Sequence, residues 1–128
     1  MYEQARSYAN SGQLAQALEW CERAIAADRL HAGYHYLRAT ILQEQNSLEA
    51  AAALKRALYL EPNFVLAHYA LGNLARREGR TAEAVRHFEN ALSLLRARSP
   101  DEILPESDGL TTERLAQMIS MAMPGTSA

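Results

Sequence analysis

His35-Tyr36-Leu37-Arg38-Ala39 returns 33 residues later as His68-Tyr69-Ala70-Leu71-Gly72, and 34 residues earlier Met1-Tyr2-Glu3-Gln4-Ala5 falls in the same register. Self-similarity at a period of roughly 20 to 50 residues marks a stack of supersecondary units, because no single unit can bury its apolar face alone. Downstream of each copy stands a residue type that tolerates the left-handed backbone ending a helix: Gly12, Asn46 and Gly79. A second run with helical apolar spacing follows each stop: Ala17, Cys21, Ala24 and Ile25; Ala50, Leu54, Ala57 and Leu58; Ala84, Phe88, Ala91 and Leu92.

In these second runs the offsets are 33 and then 34, so one residue is missing in the turn after Asn46, which is expected to be tighter. Two helices joined by a short turn approach closely only where small residues meet, which pairs Ala5, Ala39 and Gly72 with Ala17, Ala50 or Ala51, and Ala84. Helices are predicted at about 1–11, 14–27, 32–45, 48–60, 64–78 and 81–96. Ala, Leu, Glu and Arg dominate the composition, which favours helix along nearly the whole chain.

Beyond Arg98 the repeat stops. Ser99-Pro100-Asp101-Glu102 reads as a capped short helical turn, with Ser99 as N-cap and Glu102 closing a capping box. Pro105 ends it, and Glu106-Ser107-Asp108-Gly109 is turn-forming. Thr111 then caps a further helix, with Glu113 in its first turn and an apolar face of Leu115, Met118, Ile119 and Ala122 that covers the end of the stack. The expected architecture is all-α: a superhelix of three antiparallel helix hairpins (about 1–30, 31–63 and 64–98), a linker over 99–110 and a capping helix over 111–123. Residues 124–128 are expected to be disordered.

A chain of 128 residues is one domain by length, and 48% hydrophobic with 22% charged residues is ordinary for a soluble globular protein. Its formal net charge of -2 provides no field to gather nucleic acid or an acidic membrane. The single cysteine, Cys21, can form no internal disulfide and points to a reducing compartment. The N-terminus lacks the apolar run of a signal peptide, and no stretch approaches the roughly 18 apolar residues of a spanning helix, so a cytoplasmic location is expected.

Leu71-Gly72, Ala84, Phe88, Ala91 and the closing Pro62 resemble the signature of the tetratricopeptide repeat (TPR) over about residues 1–98. The pattern departs from that family where Arg38 replaces a leucine, Asn46 a glycine, and Arg29 and Arg96 the closing proline. The first repeat begins several residues into its first helix, as expected of a piece of something longer. Residues 57–74, from Ala57 to Leu74, with Leu104-Pro105-Glu106-Ser107-Asp108-Gly109-Leu110-Thr111, are similar to the C-terminal TPR region of bacterial CheR-type chemotaxis receptor (MCP) glutamate methyltransferases. That resemblance implies a recruiting or regulatory role in signal transduction. It also places S-adenosylmethionine and all catalysis in a separate domain, with no cofactor in this chain.

No residues make a catalytic constellation, so the chain is expected not to be an enzyme. His31 and His35 stand four apart, as a metal pair can, but no further ligand is near in sequence. His35 and His68 share a repeat position, which points to packing. In TPR proteins the first helix of each hairpin lines the concave surface, and the register gives its columns here: Tyr2, Tyr36 and Tyr69; Arg6, Thr40 and Asn73; then Gln43 and Arg76, with Arg77 beside them. Tyrosine and arginine concentrate binding energy, so the expected partner is a protein or peptide segment with acidic groups, such as a chemoreceptor, a signalling protein or the parent's own catalytic domain. The rings can equally pack between first helices. Tyr2, Leu37, Leu66 and Ala70 stand where a chaperone-tail clamp needs polar groups, which argues against that ligand. The other expectation is self-association as a homodimer, through an apolar edge of the first repeat or a swapped last helix.

Overall fold

The 3.6-residue spacing of the apolar positions resolves into seven helices in the computed structural model, which describes residues 2–123: α1 Tyr2–Asn10, α2 Leu14–Ala27, α3 Ala32–Leu42, α4 Ser47–Leu60, α5 Val65–Arg77, α6 Thr81–Leu95 and α7 Thr112–Ala122. The described residues contain no strand, only an isolated antiparallel bridge between Ile103 and Thr111. The expected disordered tail, 124–128, lies outside the described residues, as does Met1. No described helix is long and apolar enough to cross a membrane.

Contacts divide the chain into two compact units, Met1–Pro62 and Asn63–Ala128. In the first, α1 packs on α2, α3 on α4, and α2 on α3. Ala5, Ala17, Cys21, Leu37 and Ile41 form one core cluster there. The second unit packs α5 on α6 and α7 on α6, around fully buried Phe88, Leu115 and Ile119. Burying each such large side chain contributes about 1.5–3 kcal/mol.

The hairpin turns follow the glycines in two cases of three. Gly12 and Gly79 adopt φ of 80° and 78°, and the next amide, of Gln13 or Arg80, reaches back to the carbonyl of Tyr8 or Ala75 at 2.9 Å, which closes the end of α1 or α5. Asn46 behaves differently. Its φ is -151°, and its side-chain oxygen accepts the Glu49 N–H at 3.1 Å, so it is the N-cap of α4 and not a left-handed stop for α3. It occupies the place of the N-cap residues Gln13 and Arg80. The missing residue is therefore the left-handed one before Asn46, and the Asn46 amide bonds directly to the Leu42 carbonyl at 2.8 Å.

The small residues are buried as expected: Ala5, Ala17, Ala50 and Ala84 are 0% exposed and Ala39 2%. Gly72, expected to face Ala84, presents its bare Cα to the ring of Phe88. By register the opposite position is Cys21 across from Ala5, Leu54 across from Ala39 and Phe88 across from Gly72. The largest of these second-helix residues, Phe88, stands opposite the smallest first-helix residue, Gly72.

Arg38, which departs from the repeat pattern, is an electrostatic strut. Its Nε donates to Glu22 Oε1 of α2 at 2.5 Å, and Nη2 lies 3.7 Å from Glu49 Oε2 of α4. One side chain on α3 thus ties both neighbouring helices.

The segment after α6 corrects one expectation. Ser99–Glu102 is a single turn, closed by the Glu102 amide on the Ser99 carbonyl at 3.1 Å, and not a capped helical turn. Backbone bonds from Leu104 N–H to the Leu110 carbonyl and from Thr112 N–H to the Glu102 carbonyl, both 2.9 Å, fold the linker into a narrow loop. Pairing across the loop satisfies backbone groups that a three-residue helical turn would leave open. Glu106, Asp108 and Gly109 take positive φ at its tip. Thr111 caps α7 as expected, accepting the Arg114 N–H at 3.2 Å.

Candidate functional site

The first helices α1, α3 and α5 carry the residues singled out for binding, except Gln43, which is the C-cap just past the end of α3. Tyr2, Arg6, Tyr36, Thr40 and Gln43 stand in the first unit, and Tyr69, Asn73, Arg76 and Arg77 in the second.

In the first unit Tyr2 is half-buried, and its ring meets Tyr34 with centroids 5.0 Å apart and His31 at 6.3 Å. His31 and Tyr34 stack nearly parallel, at 3.9 Å and 6°. The Arg6 guanidinium lies 6.0 Å from the Tyr2 ring centroid, within cation–π reach. Register paired Tyr2 with Tyr36 and did not single out Tyr34. The available signal was that His31 and Tyr34, three apart across the start of α3, share one side of its first turn. Glu3, Arg6, Ser7, Asn10 and Ser11 line a shallow polar depression of about 500 Å3 along α1. Tyr36 and Gln43 are half-buried, and Thr40 is exposed with its hydroxyl donating to the Tyr36 carbonyl at 3.0 Å.

In the second unit half-buried Tyr69 leans on Phe88, at 6.1 Å and 44°, so one face of the ring packs within its own hairpin. Arg76 and Arg77 are exposed in the last turn of α5, where the helix dipole favours cations. Arg76 donates to Asn73 Oδ1 at 3.3 Å, and neither arginine forms an ion pair among the described residues. The nearest carboxylates in sequence, Glu78 and Glu83, are both held by Arg80.

His31 and His35 do different work. His35 is buried, and its Nε2 donates to the Arg29 carbonyl at 2.9 Å, which holds the bend between α2 and α3. Among the described residues no group of three His, Cys, Asp or Glu is placed to hold a metal ion. Burial, aided by Glu22 and opposed by Arg38, pushes the Cys21 thiol up to about 12. Its S–H points at the Tyr34 carbonyl, 3.3 Å away, so at neutral pH it is a packed thiol and not a nucleophile.

Residues 1–29 and residues 65–97 each match a model of the tetratricopeptide repeat. The fold is all-α and of the TPR type. Comparison with curated proteins found no match. The crystal structure of MamA is similar to this chain, with a TM-score of 0.68 at 23% identity over 75% of this chain and 59% of that one. At such identity the likeness is one of fold, and the chain spans 59% of the MamA chain's length. TPR modules generally mediate protein–protein interaction, since stacked helical hairpins present long surfaces with little catalytic apparatus.

Proposed function

We propose that this TPR chain binds a protein segment carrying acidic groups on the face of α5 that carries Asn73, Arg76 and Arg77, and is itself no enzyme. The observation that carries this reading is the pair Arg76 and Arg77. Both are exposed cations without an ion pair among the described residues, and Asn73, which accepts from Arg76, stands one helical turn beyond the half-buried Tyr69. Two neighbouring unspent guanidinium groups on one helix end suit a carboxylate-bearing peptide. Calorimetric titration with an acidic peptide tests it: Arg76→Ala with Arg77→Ala is expected to weaken binding at least tenfold, on the order of 1.4 kcal/mol. Unchanged affinity in that double variant sinks the reading.

More finely, the module is the recruiting or regulatory C-terminal domain of a bacterial CheR-type receptor glutamate O-methyltransferase. Support comes from the resemblance of residues 57–74 and 104–111 to that region. In this reading the partner is a cytoplasmic chemoreceptor segment, a signalling protein or the parent's own S-adenosylmethionine-dependent domain. The coding sequence upstream of Met1 tests the parentage, and a reading frame there without a methyltransferase domain overturns it.

A second reading, self-association, draws on α4. Leu48 and Tyr59 are 83% and 79% exposed and eleven residues apart, three helical turns, so they share one face. Two large apolar side chains held in water on one face favour a contact with another copy. Light scattering at low micromolar concentration decides: a monomer mass that does not rise with concentration removes this reading.

A further inference from the structure

A cleft of about 360 Å3 opens in the second unit, where the end of α6 meets the start of α7. That volume is at the lower end of the roughly 300–1,000 Å3 of clefts that hold ligands. Buried Leu95 and half-buried Leu92 and Ala116 make an apolar floor, and exposed Arg96 and Glu113 stand at its rim on facing helices.

The walls are set in place before anything binds. Thr112 N–H bonds to the Glu102 carbonyl and Glu113 N–H to the Pro100 carbonyl, both at 2.9 Å, so the linker pins the start of α7 against the end of α6. Arg98 is neutralised by Glu102. Arg96 and Glu113 are in no ion pair among the described residues, which leaves one cation and one carboxylate unspent beside the apolar floor.

This chemistry selects among occupants. A wholly apolar ligand would leave Arg96 and Glu113 at the rim without a partner, and a small anion would leave the floor wet. We propose that the cleft docks a short segment of a partner protein in which a leucine is followed directly by a glutamate. The leucine side chain covers Leu92, Leu95 and Ala116, the glutamate pairs with Arg96, and Glu113 accepts a backbone N–H of the segment. This site is separate from the α5 face and does not depend on the acidic-segment reading made for it.

The experiment is an amide NMR titration of the whole chain with two blocked tetrapeptides, acetyl-Ala-Leu-Glu-Ala-amide and its Gln counterpart. Saturable shifts are expected at Leu92, Arg96 and Ala116. The Gln peptide should bind about fivefold more weakly, the scale of a partly exposed ion pair, and Arg96→Gln should erase that preference. Equal binding of both peptides, no saturable shift at these residues, or shifts confined to Tyr69, Asn73 and Arg76 would each overturn the proposal.

Discussion

A Cβ on Gly72 would stand 2.5 Å from Cε1 and 2.6 Å from Cδ1 of Phe88, a ring that is fully buried. The third hairpin closes because one helix omits a side chain where the other places an aromatic ring. Replacing glycine with alanine inside a helix gains about 1 kcal/mol of propensity. Overpacking a filled core costs about 1–3 kcal/mol, and here the obstructing atoms belong to a ring with no free space. Gly72→Ala should therefore destabilise the chain in chemical denaturation. In a Phe88→Leu background the same change should be neutral or stabilising. Equal effects in both backgrounds would refute the size pairing.

Asn46 and Gly79 make opposite demands on the backbone. Asn46→Ala should cost about 1 kcal/mol through loss of the cap on α4, and Asn46→Gly only a few tenths. Gly79→Ala, at φ of 78°, should cost about 1–2 kcal/mol, the left-handed penalty for a residue with a Cβ. Gln13→Ala, whose side chain caps nothing, should change little. Thermal denaturation of the four variants checks the order.

Arg38 is three-quarters buried beside two partly exposed carboxylates. Pairs this exposed contribute at most about 1 kcal/mol, and leucine would suit the same site. Arg38→Leu is expected to stay within about 1 kcal/mol of the parent while losing part of its sensitivity to salt. Denaturation at low and high sodium chloride measures both.

Cys21 gives stability a dependence on alkaline pH. Its folded value of about 12 lies above the ordinary 9.0, so the neutral thiol is favoured by the fold. The contribution is complete below pH 9 and declines as pH rises through the interval to 12, because the unfolded chain loses its proton first. Unfolding free energy followed from pH 8 to 11 should fall more steeply in the parent than in Cys21→Ala. Parallel curves would remove the burial argument.

The helices and hairpins were legible because their signals are local. Gly12 and Gly79 sit in the backbone conformation only glycine adopts cheaply, and the Ala5, Ala17, Ala50 and Ala84 positions are closed contacts. Asn46 misled because two offsets, 34 from Gly12 and 33 from Gln13, both lead to it. Only its φ and its bond to Glu49 show which position it fills. Arg6, Asn73, Arg76 and Arg77 could be placed on first helices by register alone.

What lay beyond the sequence are the meetings of side chains from different helices. The Tyr2 ring against Tyr34, the reach of Arg38 to Glu22 and Glu49, and the folding of the 99–110 linker onto α7 depend on how helices cross and which rotamers the crossing leaves open. By itself the sequence determined that this is a succession of helical hairpins followed by one further helix, because helix periodicity and turn chemistry act over a few residues. The tertiary structure decided which cations are spent. Arg38, Arg80 and Arg98 are held by neighbouring carboxylates, while Arg76, Arg77 and Arg96 form no ion pair among the described residues. A charge is neutralised by what lies within a few ångströms, and that distance exists only once the chain has folded.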